Sequence, residues 1–216
     1  MITPENIAEH GVIDVSELQS TVFDYRAPLW WGNTLLLFIE TAMFGILVTI
    51  YISVMMNTDP FPPPRVDRLP VLYDPVPDLT LPVIGLVVLL VSLFPCIWLD
   101  ISARRRNAKS VKIALILTLT LNIAAFFIRY FEYDSLHFKW NDNAYGSITW
   151  MILGMHMLHI LALGCEDIYL LIWTIARDMD DKHAVDLTVT AVYWYWIVGI
   201  WVLLFPLVYI VPRMVG

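Results

Sequence analysis

Five long, nearly uncharged apolar stretches govern what this chain can become: residues 30–55, 81–101, 111–128, 148–175 and 187–211. Each approaches or exceeds the roughly 17–25 residues a helix needs to cross a bilayer. Hydrocarbon offers no water to the backbone, so segments of this kind must close their own hydrogen bonds as helices. The pattern predicts an all-α polytopic bundle of five transmembrane helices, one membrane domain over residues 30–216. With 59% hydrophobic and 15% charged residues, the chain has too little polar surface for a soluble enzyme, whose charged fraction is about 25%. A net charge of −7 leaves no basic face for nucleic acid. Cys96 and Cys165 both fall inside apolar runs and frame no disulfide scaffold.

The connecting segments set expectations for topology. Residues 1–29 carry Glu5, Glu9, Asp14, Glu17 and Asp24 against Arg26 alone, and read as a retained polar N-terminal segment rather than a cleavable signal. Residues 57–79 hold seven prolines, which excludes helix and predicts an extended surface loop. The turn after the second span carries Arg104, Arg105, Arg106, Lys109 and Lys112 with no anion. Cations are retained on the cytoplasmic side, so this turn, the N-terminus and the 177–186 loop are expected inside. The proline loop, the 129–143 loop and the C-terminus are then outside, and cations divide 8 inside to 5 outside. Trp30, Trp31, Tyr51, Trp140, Tyr145, Trp150 and the run Tyr193 to Trp196 form the aromatic belts of a membrane protein.

Ionisable groups inside the spans carry the remaining information, because a carboxyl in hydrocarbon costs about 2.5–3.5 kcal/mol on insertion scales. Glu40 lies ten residues into the first span, and the fourth span holds His156, His159, Glu166 and Asp167. At about 100° per residue, His156 aligns with Asp167 and His159 with Glu166, forming a polar stripe roughly 16 Å long. Such a stripe must face other helices, a partner subunit or water. It fits a buried packing seam with satisfied hydrogen bonds or, less simply, a proton path. Bis-histidine haem ligation needs facing helices, whereas His156 and His159 share one, so no metal site of this chain alone is expected. Nor does a nucleophile triad, a zinc site or a phosphate-cradling loop assemble from these residues.

Four segments resemble subunit III of the haem-copper terminal oxidases, in a short five-helix form without the family's first two helices. Trp31 and Gly32 followed by Glu40 match the family helix with an intramembrane glutamate. Arg129, Glu132 and Tyr133, then Tyr145, Gly146 and Ser147, are similar to its glutamate-aromatic turn and Tyr-Gly-Ser helix start. Gly154, His156 and His159 match its Gly-x-His-x-x-His signature, and Tyr193, Trp194 and Trp201 its last helix. Two departures stand out. Tyr195 and Val198 occupy positions where the family usually has histidine and aspartate, and Glu166 and Asp167 are acidic where the family is not expected to be.

The resemblance implies a structural subunit, without a catalytic centre of its own, that packs against the oxidase's catalytic subunit I. Haem and copper belong to that partner. This chain would bind none of them, would hold structural phospholipid between its helices, and would sustain proton uptake during turnover. The expected location is the bacterial plasma membrane or the mitochondrial inner membrane, with a cytoplasmic N-terminus and a periplasmic C-terminus. A subunit-III-like chain of a nitric oxide reductase, or of another membrane redox complex, is the alternative within this fold. A small transporter or channel using the polar stripe is the alternative of another class. From the residues themselves, Glu40 is expected to hydrogen-bond across to His156 or His159, because apolar helices need polar contacts to fix their neighbours in lipid.

Overall fold

The computed structural model describes residues 27–64, 66, 69, 71, 75–177 and 181–215, with backbone only for 181 and 182. The acidic positions of the N-terminal segment and several residues of the proline loop, Arg65 and Arg68 among them, lie outside the described residues. Among the described residues, five helices are long and apolar enough to span a membrane. They are α1 (Pro28–Met56), α2 (Thr80–Arg104), α3 (Ala108–Ser135), α4 (Ala144–Ala176) and α5 (Asp181–Phe205). The last continues through a π-helical turn, Pro206–Ile210, into a final helical turn, Val211–Val215.

Every helix runs beyond the apolar stretch that predicts it. The largest correction is at 129–143, expected as an outside loop: α3 continues to Ser135, so Arg129, Glu132 and Tyr133 are helical and only the following residues form the turn. Burial explains the extension, because Arg129 and Glu132 satisfy each other inside the bundle and the helix need not end where apolar residues do. Similarly, α5 begins at Asp181, within the segment expected as an inside loop. At Pro206 the missing N–H cannot bond the carbonyl four residues earlier, and the backbone widens into the π turn that buries Val208 and Tyr209.

Helices α2 and α3 form an antiparallel pair, with α4 beside α3 and α5 beside α2. α1 lies against α4 and α5, with much of its surface outward: Trp31, Phe38 and Ile39 are all more than half exposed. The main core runs between the helices and includes Phe44, Leu89, Cys96, Ile152, Ile160, Ile197 and Trp201. At the proline-loop end it becomes aromatic, where Phe61 meets Tyr145 edge-on at 5.2 Å and Phe138 approaches Tyr145 at 4.9 Å. At the basic-turn end Ala27 and Trp30 of α1 pack on Val185 and Val189 of α5.

The start of α4 is tightly specified. The Asn143 side chain accepts from the Gly146 N–H at 2.7 Å, capping the helix, and Trp150 donates its indole N–H to the Phe138 carbonyl at 3.1 Å. A Cβ at Gly146 would sit 2.5 Å from the Lys139 backbone oxygen, a distance no side chain tolerates. Gly146→Ala should therefore displace this turn and lower the heat stability of the purified protein by about 1–3 kcal/mol. Unchanged melting of that variant, followed by intrinsic tryptophan fluorescence, would contradict this geometry.

Candidate functional site: a polar seam between α1, α4 and α5

Glu40 on α1 and His159 on α4 meet inside the bundle, with Glu40 Oε2 3.0 Å from His159 Nε2. The other ring nitrogen, Nδ1, lies 2.5 Å from the Met155 carbonyl one turn earlier. A carbonyl only accepts, so Nδ1 is the donor there, and Nε2 and the Glu40 carboxyl share a hydrogen bond. Such a pair is compatible with low dielectric surroundings. Phe44 and Trp196 frame the imidazole, each ring 5.5 Å away. Trp196 also donates to Thr41 Oγ1 at 2.8 Å, so α1 is tied by polar contacts to both α4 and α5.

His156 takes a separate place. Its Nε2 donates to the Ile197 carbonyl of α5 at 3.2 Å, and its ring packs on Trp201 at 4.6 Å. Arg129 lies 3.6 Å over the same Trp201 ring, a cation–π contact strengthened by desolvation. Arg129 Nη1 reaches both carboxylate oxygens of Glu132, at 2.7 and 2.6 Å, and both residues are buried. Glu132 is thus the counter-ion that permits a guanidinium inside the bundle.

The stripe on α4 divides. His156, His159 and Asp167 are buried, whereas Glu166 is exposed on the bundle's flank, accepting from Thr190 Oγ1 at 2.6 Å. Neither carboxyl oxygen of Asp167 has a hydrogen-bond partner among the described residues. Of the remaining signature residues, Trp31 faces outward and a Cβ at Gly32 would meet nothing within 4 Å. Gly154 makes room for the Tyr133 hydroxyl, 3.2 Å from where a Cβ would stand. Trp194 is buried and donates to Ser92 Oγ at 2.8 Å. Ser147 Oγ donates to the Trp140 carbonyl at 2.5 Å, while Tyr193 stacks on Trp196 at 5.8 Å.

Sequence reasoning missed Asn122 on α3. Its amide, oriented for bonding, donates to the Ile160 carbonyl at 3.2 Å and accepts from the Gly164 N–H at 3.3 Å. A lone asparagine in the middle of an apolar run was the available signal. Among the described residues, no three histidine, cysteine, aspartate or glutamate side chains group as metal ligands. The seam joins α1, α4 and α5 through the Glu40–His159, Trp196–Thr41 and His156–Ile197 contacts.

The family described as cytochrome c oxidase subunit III matches residues 17–212. The chain belongs to that family. Among proteins named cytochrome c oxidase subunit 3, that of Loxodonta africana is 25% identical over 181 residues, covering 79% of this chain and 69% of the relative. That of Rattus norvegicus is 27% identical over 135 residues, 62% of this chain and 52% of the relative, so this match spans about half the animal protein. The Thermostichus vulcanus protein is 23% identical over 185 residues, covering 84% of this chain and 87% of the relative. As a subunit III, the chain is an integral membrane component of a haem-copper oxidase. The nitric oxide reductase and transporter alternatives find no support in these relatives.

In this subunit III, Tyr195 and Val198 line an apolar cleft of about 460 Å³ between α2 and α5, with Leu90, Leu93 and Ile97. Two mutational outcomes follow from the seam. Glu40→Gln should assemble normally, because its amide still donates to His159 Nε2, whereas Glu40→Leu strands a buried ring nitrogen and should cost about 1–3 kcal/mol. Equal yields of intact complex from both variants would contradict this. At the ion pair, Glu132→Leu should cost about 3–5 kcal/mol by leaving Arg129 unpaired. The double variant Arg129→Met, Glu132→Leu should recover part of that loss, and a double-mutant cycle on thermal stability reads the difference.

Proposed function

We propose that this subunit III is the non-catalytic scaffold of its oxidase: it packs against the catalytic subunit I, which holds haem and copper, and sustains proton uptake while that subunit turns over. The observation that carries the reading is the use of the seam's ionisable groups. His159 has both ring nitrogens engaged, by Met155 and Glu40, and Arg129 is consumed by Glu132. Glu40 and His159 join α1 to α4, His156 joins α4 to α5, and the Arg129–Glu132 pair is closed within α3. A stable five-helix body with a broad apolar exterior is suited to lie beside a larger membrane subunit.

The apolar α2–α5 cleft is of a shape and chemistry to take a phospholipid acyl chain, since only Tyr195 among its lining residues is polar. An inside N-terminus and outside C-terminus are favoured by the exposed cations Arg104, Arg105, Arg106 and Lys109 at the α2–α3 turn. Arg129, counted among the outside cations, belongs instead to a buried ion pair, which sharpens the asymmetry. The membrane of such an oxidase is a bacterial plasma membrane or a mitochondrial inner membrane, the location that goes with this reading.

The test is to isolate the oxidase with and without this chain. Affinity purification through it should bring down a haem-bearing large subunit, visible in the optical spectrum. Oxidase lacking the chain should begin oxygen consumption at a comparable rate and then lose activity over successive turnovers sooner than the complete complex. A haem-free preparation, or equal persistence of activity with and without the chain, would overturn the scaffold reading.

A further inference from the structure

One end of the bundle carries a concentrated positive charge. Around the reversal from α2 to α3, residues 100–112 hold Arg104, Arg105, Arg106, Lys109 and Lys112 against Asp100 alone, a net side-chain charge of +4. Asp100 is engaged by Arg104 at 3.0 Å; Arg105, Arg106 and Lys109 are exposed and Lys112 is half-buried. The reversal is tight. Arg105 closes α2, and the Asn107 side chain accepts from the Ser110 N–H to cap α3. Between them Arg106 has a φ of 53°, a left-handed conformation that glycine adopts freely and arginine does not. The tip of the turn thus keeps a cation where backbone geometry favours glycine.

The same chain supplies the opposite charge within reach. Residues 1–26, which precede the described part, carry Glu5, Glu9, Asp14, Glu17 and Asp24 against Arg26, a net side-chain charge of −4 with His10 neutral. They join the bundle at Ala27, which packs with Trp30 on Val185 and Val189 of α5. Leu187, between those two valines in sequence, packs with Leu99 and Ala103 near the end of α2. The attachment point and the basic turn therefore lie at the same end of the bundle, with α5 between them. Packed helix axes stand about 8–10 Å apart, so two such steps cover roughly 20 Å. The 26 residues extend to about 85 Å.

We infer that the basic turn between α2 and α3 is the docking surface for this chain's own N-terminal segment, residues 1–26, whose carboxylates pair with Arg105, Arg106, Lys109 and Lys112. Charge and tethering select the occupant. The two net charges are equal and opposite, and a short covalent tether sets an effective concentration on the order of millimolar. An anionic lipid surface repels an acidic segment, and among the described residues no other stretch holds as many exposed cations. Docked there, the segment crosses the start of α5 and straps the entry of α1 to the α2–α3 hairpin. The inference stands on the fold and does not depend on the scaffold reading.

The test treats the complete complex with a water-soluble carbodiimide, which joins a carboxylate to a lysine amine as an amide when the two are in contact, and maps the products by mass spectrometry. The expected product links a carboxylate of residues 1–26 to Lys109 or Lys112 of the same chain. Its yield should fall roughly fivefold between about 0.1 M and about 1 M salt, over which the screening length shortens from about 10 Å to about 3 Å. A similar loss is expected in the double variant Arg105→Gln, Arg106→Gln, which keeps both lysines, and in Glu5→Gln, Glu9→Gln, which keeps three carboxylates. The salt series needs no variant, so a variant that fails to assemble leaves the question decided by the unaltered chain. In nanodiscs of phosphatidylcholine the product should form, and it should persist when anionic phosphatidylglycerol is included. Loss of the product on adding the anionic lipid, links from these lysines to another subunit only, or an intrachain yield indifferent to salt would overturn the inference.

Discussion

The requirement that polar groups at membrane depth find partners inside the protein orders the rest of the structure, and the contact between Glu40 and His159 shows how. In water this pair would be worth little, because both groups are well solvated when apart. In a bilayer the separated state is the expensive one, so a single shared proton between two helices sets their register. α1 depends on this most, since much of its surface faces outward and purely apolar contact with α4 and α5 gives little preference for one rotation over another. With Glu40 against His159 and Thr41 beneath Trp196, the observed rotation of α1 is the one that gives these two polar groups their partners.

The same reasoning explains the Arg129–Glu132 pair, three residues apart on one helix. The ion pair brings its own compensation with it, so α3 carries a full positive charge into the bundle and places it on Trp201. His156 packs against the same indole and bonds the α5 backbone, so α3, α4 and α5 converge on one aromatic ring. Breaking any member of this group leaves a buried polar atom without a partner, whereas the apolar contacts around it tolerate substitution.

These uses of ionisable residues bear on function. A proton path needs groups free to exchange partners, and an electron-transfer site needs open ligand positions. In the seam His159 is committed to a carbonyl and a carboxyl, His156 Nε2 to a carbonyl, and Arg129 Nη1 to its carboxylate. On the proposed reading, a chain built this way gives its oxidase a rigid neighbour with largely apolar outer faces.

Much of this was legible in the residues. Five apolar runs separated by a proline-rich loop and a basic turn determined the helix count, because the length of a membrane-spanning helix is imposed by bilayer thickness and not by partners. The isolated glutamate and histidines marked the seam for the same reason: hydrocarbon makes each one conspicuous. What the sequence left open was the choice among equivalent partners, His156 or His159 for Glu40, and which side of the α4 stripe is covered. The helical reach of α3 past its apolar run was also hidden, since the Arg129–Glu132 pair looks like a loop until burial turns it into a helix-internal ion pair. Those points were decided by packing in three dimensions, where the angle at which α1 crosses from α4 to α5 brings Glu40 to His159 and leaves Glu166 outside.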